Sequence, residues 1–263
     1  MYKQLTLDQI KDSQNLKDNF LWDQVFYKGI VSNEVISDYL FFNSENYFRD
    51  SATVEEHGNL YNLLINELLD WQAFPLRKKS IIFTNDFYTA RGFSIPRPSK
   101  GLNNAKLFCV IPKKKSRIMV SPECDLWESF KSLFIGLGVR NHTYSLIHFN
   151  ASFKALAEYY DIINYDISLE NFNELIKEIY TNKKDPSIMN LPTQSIHSKI
   201  IELQDNFLTV LNNFFSPAYN NFKNIAVESH MKIEKNKELW TDEDCLLINH
   251  EKYPFIVDLL KLK

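Results

Sequence analysis

The residues best placed for chemistry lie in Lys78-Lys79-Ser80-Ile81-Ile82-Phe83-Thr84-Asn85-Asp86 and run on through Ala90 to Phe93. Ser80–Thr84 is a short β-rich apolar run. Thr84, Asn85 and Asp86 are turn and N-cap types. Phe87, Ala90 and Phe93 then recur at about helical spacing. A strand that delivers a hydroxyl and an amide onto a helix start is a common way to build a ligand site. Two further elements complete a constellation. Asn46-Tyr47-Phe48-Arg49 puts an arginine at the end of an early aromatic strand, and Asn236-Lys237-Glu238-Leu239-Trp240 opens a late strand with a glutamate.

Other chemistries are excluded or weak. With six glycines in 263 residues the chain has neither G-x-G-x-x-G nor G-x-x-x-x-G-K-[ST], which argues against a standard dinucleotide fold or a P-loop. No G-x-S-x-G occurs. The histidines at 57, 142, 148, 197, 230 and 250 form no H-E-x-x-H and no Cys/His pair of ligand spacing, so no metal is expected. A nuclease would need clustered acids holding a metal, and Asp242-Glu243-Asp244 reads instead as a solvated turn. Cys109, Cys124 and Cys245 are odd in number and widely spaced, which points to free thiols in a reducing compartment. No apolar run nears the length of a membrane span, and no apolar leader is read at the start. The net charge of −3 leaves any anionic partner to a local basic patch, for which Lys113, Lys114 and Lys115, with Lys78, Lys79 and Arg117, are the candidates.

The elements that must position these groups follow from periodicity. Residues 6–31 read as helix, capped by Thr6 and carrying Leu16, Phe20, Val25 and Phe26 on its apolar side. A second helix is expected over 33–42 and a strong one over Leu60–Trp71. Strands are expected over Lys106–Ile111 and Arg117–Val120, joined as a hairpin with the lysines at its tip. Helices follow from Asp125 to Phe134 and over 150–160, 169–181 and 195–215. Strands return at 225–228, 230–234, 238–240 and 245–248, and Pro254–Leu260 is strand or helix. The class is α+β in a single domain, 1–263, with a helical region over 1–43 and the core over 44–263.

These motifs resemble the Arg–Ser/Thr–Glu triad of the ADP-ribosyltransferase superfamily. Tyr47-Phe48-Arg49, Ile82-Phe83-Thr84-Asn85 and Glu238-Leu239-Trp240 match in order. Arg77-Lys-Lys-Ser80-Ile-Ile-Phe-Thr84, Val110-Ile-Pro112, Asp125-Leu-Trp127 and Cys245-Leu-Leu-Ile248 extend the similarity to ADP-ribosyltransferase-like proteins of tailed phages and bacterial toxins, over about residues 45–250.

The resemblance implies an ADP-ribosyltransferase-like split β-sandwich with helical insertions, holding NAD+ as co-substrate and no metal. It implies that Arg49 pairs with the NAD+ phosphates, that Thr84 braces the site with Asn85, and that Phe93 stacks on the nicotinamide ring. It also implies that Glu238 holds the ribose and stabilises the cation formed as the glycosidic bond breaks.

Asn236 stands where arginine-modifying members carry a second glutamate. An amide is no base, so the expected acceptor is a macromolecule other than arginine: another protein side chain, or RNA held by Asn236 and Lys113–Lys115. A toxin of this kind implies an antitoxin partner, no membrane partner, and the cytoplasm of a bacterial host. The rival expectation is a non-catalytic phage virion or binding protein on the same fold.

Overall fold

A computed structural model describes residues 2–46, 65, 67, 69–124, 126, 128–130, 146–162, 168–229 and 231–260. The chain is mixed α and β and divides into two compact units. One gathers residues 1–49, 74–124 and 223–263, and the other residues 50–73 and 125–222.

The first unit is built on a nine-stranded antiparallel sheet. Its strands are β1 (Tyr2–Gln4), β2 (Phe26–Ser32), β3 (Tyr39–Phe42), β4 (Ile81–Thr84), β5 (Asn104–Pro112), β6 (Arg117–Val120), β7 (Lys223–Ala226), β8 (Glu238–Thr241) and β9 (Cys245–Asn249). The spatial order is β1-β3-β9-β5-β2-β4-β8-β6-β7. The sheet is nearly divided in its middle. β2 runs beside β5 from Phe26↔Val110 to Ser32↔Asn104, but meets β4 only at Tyr27↔Thr84. Beyond that rung the two halves turn one face inward on a shared core. Phe26, Phe108, Val110 and Leu247 come from one half, and Phe83, Ile118, Val120 and Leu239 from the other. The Phe26 and Phe83 rings meet at 5.1 Å. Because side chains alternate along a strand, Tyr27, Thr84 and Glu238 face the opposite side.

The N-terminal region departs from the helical expectation over 1–43. Helix is confined to α1 (Leu7–Asp12) and α2 (Gln14–Asn19), and the rest supplies β1, β2 and β3. Thr6 does cap α1, in a reciprocal box with Gln9. Apolar residues at helix-like intervals misled because β2 is covered on both faces and so does not alternate. Ile10, Phe20 and Trp22 pack with Ile111, Leu246, Ile248 and Ile256 in a second core. Ile256 belongs to α8 (Tyr253–Leu259), which settles the last segment as helix.

The expected hairpin is a crossover. β5 pairs with β2 and β9, whereas β6 pairs with β7 and β8. Lys113–Ser116 therefore carries the chain from one half-sheet to the other, as at the corner of a sandwich. Its backbone is held from three sides. The Lys113 amide donates to the Asp244 carbonyl, that of Lys114 to Asn19 and that of Lys115 to Val227.

The segment 231–234 forms no strand. The acidic turn Asp242–Asp244 is a structural hub. Asp242 accepts the Leu76 amide at 2.9 Å, Glu243 the Arg117 amide at 2.9 Å and Asp244 the Ser44 amide at 3.4 Å.

α3 (Phe87–Phe93) lies across β2, and the contact requires Gly29. A Cβ there would sit 2.5–2.6 Å from the Ala90 carbonyl oxygen, the Ser94 nitrogen and the Phe93 carbonyl carbon. All three are backbone atoms, which cannot swing aside.

The second unit is helical among its described residues, with α4 (Leu146–Tyr159), α5 (Leu169–Asn182), α6 (Leu191–Leu203) and α7 (Phe207–Phe215). Gln204, at φ 49 and ψ −125, breaks the single helix expected over 195–215. Phe149, Phe153, Phe172, Phe207 and Phe215 fill its interior. The described part of the expected 60–71 helix includes a 3-10 turn at Leu69–Trp71. Ile65 and Glu67 of the first are helical, the expected Asp125–Phe134 helix shows a 3-10 turn at Glu128–Phe130, and apart from Leu126 the rest of both lies outside the described residues. His197 is buried and shares a 2.7 Å hydrogen bond with the Tyr160 hydroxyl.

Two predictions follow from this packing. Gly29→Val should destabilise the protein by about 1–3 kcal/mol or more, the cost of overpacking a fitted contact. Urea unfolding measures it, and a midpoint unchanged from wild type would show that α3 can lift without penalty.

Burial lowers the pKa of His197, with Asp185 acting weakly the other way. The unfolded chain therefore takes up this proton first. The stability that His197 contributes is complete above its unfolded value of about 6.5. It is lost as pH falls through that value toward the lower folded one. His197→Gln, which keeps a polar partner for Tyr160 without titrating, should flatten the decline in melting temperature between about pH 7 and 5. An identical decline in the variant would rule out this histidine as its source.

Candidate functional site

The site forms where β4 ends and β8 begins. The two strands pair antiparallel with Thr84 opposite Glu238, so hydroxyl and carboxylate leave the same face of adjacent strands. Thr84 is buried, and its hydroxyl accepts the Asp86 amide at 3.1 Å. Asp86 in turn caps α3 by accepting the Thr89 amide at 2.7 Å. The sequence-read order of strand, turn and helix start is thus present, and each polar residue in the turn has a backbone task.

Asn85 reaches across to the segment ahead of β8. Its Oδ1 accepts the Lys237 amide at 2.9 Å, and its Nδ2 donates to the Glu234 carbonyl. One amide side chain thereby closes both ends of the turn 234–237. Asn236 in that turn is exposed and left-handed at φ 59, a region that asparagine tolerates better than most residues. Its Oδ1 accepts the Thr89 hydroxyl at 3.1 Å. On the other side the Glu238 amide donates to the Glu123 carbonyl at 3.1 Å, and the Lys237 ammonium to the Pro122 carbonyl. Glu238 is therefore held by backbone from both flanks.

Its carboxylate is held by Arg77. Nη2 of Arg77 lies 2.8 Å from Oε1 of Glu238, with side-chain exposures of 8% and 15%. The guanidinium carbon stands 5.6 Å from the centre of the Trp240 ring, two residues along β8 on the same face. Arg77 sits in a 3-10 turn, Arg77–Lys79, just before β4. The Leu76 amide on Asp242 and the Ser80 hydroxyl on the Leu76 carbonyl, 2.8 Å, fix that turn. An ion pair withdrawn from water repays its desolvation only with such tight geometry. Lys28 is the other cation at this junction. From β2 its ammonium donates to the Ile82 carbonyl at 2.6 Å, beside the single rung joining the half-sheets.

Among the residues expected from sequence, the fold brings together Thr84, Asn85, Asn236 and Glu238. Arg49 lies outside the described residues. Phe93 closes α3 and is 56% exposed. Lys113, Lys114 and Lys115 do not join the group. The Lys113 amide pairs with Asp244, beyond the far end of β8, whereas Glu238 opens that strand.

Sequence reasoning missed Arg77 and Lys28. Arg77 stands first in a basic trio and nothing local marks it as the buried member. Lys28 lies in a segment read as helix. Among the described residues no group of three or more His, Cys, Asp or Glu gathers to hold a metal, and no helix is long and apolar enough to cross a membrane. Comparison with protein-family models, with curated proteins and with solved structures finds no match for this chain.

Arg77→Met should cost about 3 kcal/mol, because it removes the guanidinium paired with a largely buried carboxylate. The double variant Arg77→Met/Glu238→Leu should recover most of that loss. Denaturant unfolding of both singles and the double gives the coupling energy. Additive losses would mean that the two charges do not depend on each other.

Proposed function

We propose that the chain is an ADP-ribosyltransferase of the Arg–Ser/Thr–Glu type. It would use NAD+ as co-substrate to modify a macromolecule, with Glu238 as the catalytic carboxylate. The observation that carries this reading is the pairing of Thr84 with Glu238 across β4 and β8, at the point where the sheet is nearly divided. Two segments far apart in the chain supply a hydroxyl, two side-chain amides and a carboxylate to this place.

The donor set suits a ribosyl dinucleotide. Glu238 can accept from a ribose hydroxyl and offers negative charge where positive charge develops on the ribose as nicotinamide departs. Arg77 holds that carboxylate in one orientation, which spares its reorganisation at the moment of reaction. Asn236 presents an exposed amide beside Glu238. It can pair with an acceptor's amide or base edge but cannot remove a proton. The acceptor is therefore a group that needs no strong base at that position, on a protein or an RNA rather than an arginine side chain. A toxin with a protein antitoxin in a bacterial cytoplasm fits this reading.

A second reading has its own observation. The Arg77–Glu238 pair satisfies both charges internally, which equally suits a non-catalytic virion or binding protein on this scaffold.

Incubation with NAD+ labelled in its adenylate part, with and without cell lysate, separates the two. The enzyme reading expects nicotinamide release or a labelled product. It also expects Glu238→Gln to lose about a hundredfold or more in rate with an unchanged circular dichroism spectrum. Equal turnover by the folded variant would overturn the role of Glu238, and no turnover by wild type with lysate favours the binding protein.

A further inference from the structure

Between Asp86 and Glu123 the sequence contains no acidic residue, and all its charges are positive, in a chain whose net charge is −3. Several of these cations are engaged. Lys106 pairs with Asp38 at 2.6 Å, Arg117 lies 4.0 Å from Glu243, and Lys114 donates to the Asp18 carbonyl. Arg91, Arg97 and Lys100 differ from these. All three are exposed, and none makes an ion pair among the described residues. They are clustered in sequence on α3 and the loop that follows it.

Large apolar side chains share this segment and are not covered. Tyr88 is 77% exposed, Phe93 56% and Ile95 60%. Tyr88 and Arg91 are three apart on α3, so they are neighbours on its surface. The loop beyond is exposed but not loose. The Arg97 amide donates to the Leu102 carbonyl at 2.8 Å and the Leu102 amide returns to Arg97 at 3.2 Å. Between them Pro98–Lys100 form a 3-10 turn closed by Gly101 at φ 73. Proline at 96 and at 98 stiffens it further. Cations and rings are thus presented from a preorganised backbone, which lowers the entropy cost of binding.

An exposed segment whose charges are all positive selects an anionic partner. Exposed rings interleaved with the cations select one that also offers flat apolar faces at the spacing of its charges. We propose that Tyr88–Lys100 is a docking surface for single-stranded nucleic acid. Bases stack on Tyr88 and Phe93, while phosphates meet Arg91, Arg97 and Lys100. Stacking on aromatic side chains beside a cationic track is the general mode for single strands. The surface starts two residues beyond the Asp86 cap, and Thr89 on the same helix bonds Asn236, so a strand lying here passes the Glu238 site. The inference goes beyond the proposed reaction and stands without it.

The test uses the full-length protein and a fluorescently labelled 20-nucleotide single-stranded RNA of mixed sequence, with anisotropy read over a salt series. Binding should weaken with salt at a log–log slope of about −2, as expected for three phosphates at about −0.7 each. Arg91→Glu/Arg97→Glu/Lys100→Glu should weaken binding more than tenfold. Tyr88→Ala/Phe93→Ala should weaken it about thirtyfold or more with the slope unchanged. A duplex of equal length, polyglutamate and anionic phosphatidylserine vesicles should all compete poorly. Equal binding of RNA by wild type and the triple variant overturns the proposal. So does competition by polyglutamate or vesicles as strong as by unlabelled RNA, which would reduce the surface to charge alone. NAD+ cleavage without acceptor should be unchanged in the triple variant. Loss of cleavage in wild type with RNA binding intact would sink the enzyme reading and leave this surface standing.

Discussion

The structure of the first unit turns on one electrostatic constraint: the carboxylate of Glu238 is largely withdrawn from water and must have a counter-charge. Arg77 supplies it at 2.8 Å. A pair removed from solvent tolerates little error in placement, so the surroundings have to fix both partners. Asp242 and Ser80 fix the turn bearing Arg77. Asn85, Glu123 and Pro122 fix the turn bearing Glu238. The β4–β8 ladder then sets the distance between them. Asp242 also lies in the turn directly after β8, so the same short strand carries Glu238 at one end and anchors Arg77 from the other.

The divided sheet gives this arrangement its place. A continuous ladder between β2 and β4 would leave no break beside Thr84. With a single rung at Tyr27 the halves can separate, and Lys28 bonds the Ile82 carbonyl next to that rung. α3 covers β2 on the Thr84 side and can lie close only because Gly29 has no side chain. The helix that Asp86 caps is therefore fixed to one half-sheet at Gly29, while the strand feeding it belongs to the other.

The parts of this that were legible in the sequence are local. Ile81–Thr84 and the Asp86 cap announce strand, turn and helix through residue type alone. Glu238-Leu239-Trp240 and Cys245–Ile248 read as strands because they are short, apolar and bounded by polar turns. What was hidden depends on partners distant in the chain. β2, Phe26-Tyr-Lys-Gly-Ile-Val-Ser32, is covered on both faces and shows no alternation. Gly29 beside two β-branched residues was the available sign of a strand with backbone packed against it. The crossover at Lys113–Ser116 looks like a hairpin because two strands and a polar turn are identical in sequence whether the strands pair or part. Asp242, Glu243 and Asp244 look solvated because the amides they accept lie between 126 and 200 residues away. Arg77 is one of three consecutive cations, and nothing local singles it out until Trp240 and Glu238 are brought to it.

The central claim is that this fixed carboxylate and its neighbours receive NAD+. Amide hydrogen exchange with and without saturating NAD+ addresses it residue by residue. Slowed exchange at Asn85, Asp86 and Lys237–Leu239, with the helical unit unaffected, is the expected result. Exchange at those amides that is indifferent to NAD+, in a protein that remains folded, would contradict the account.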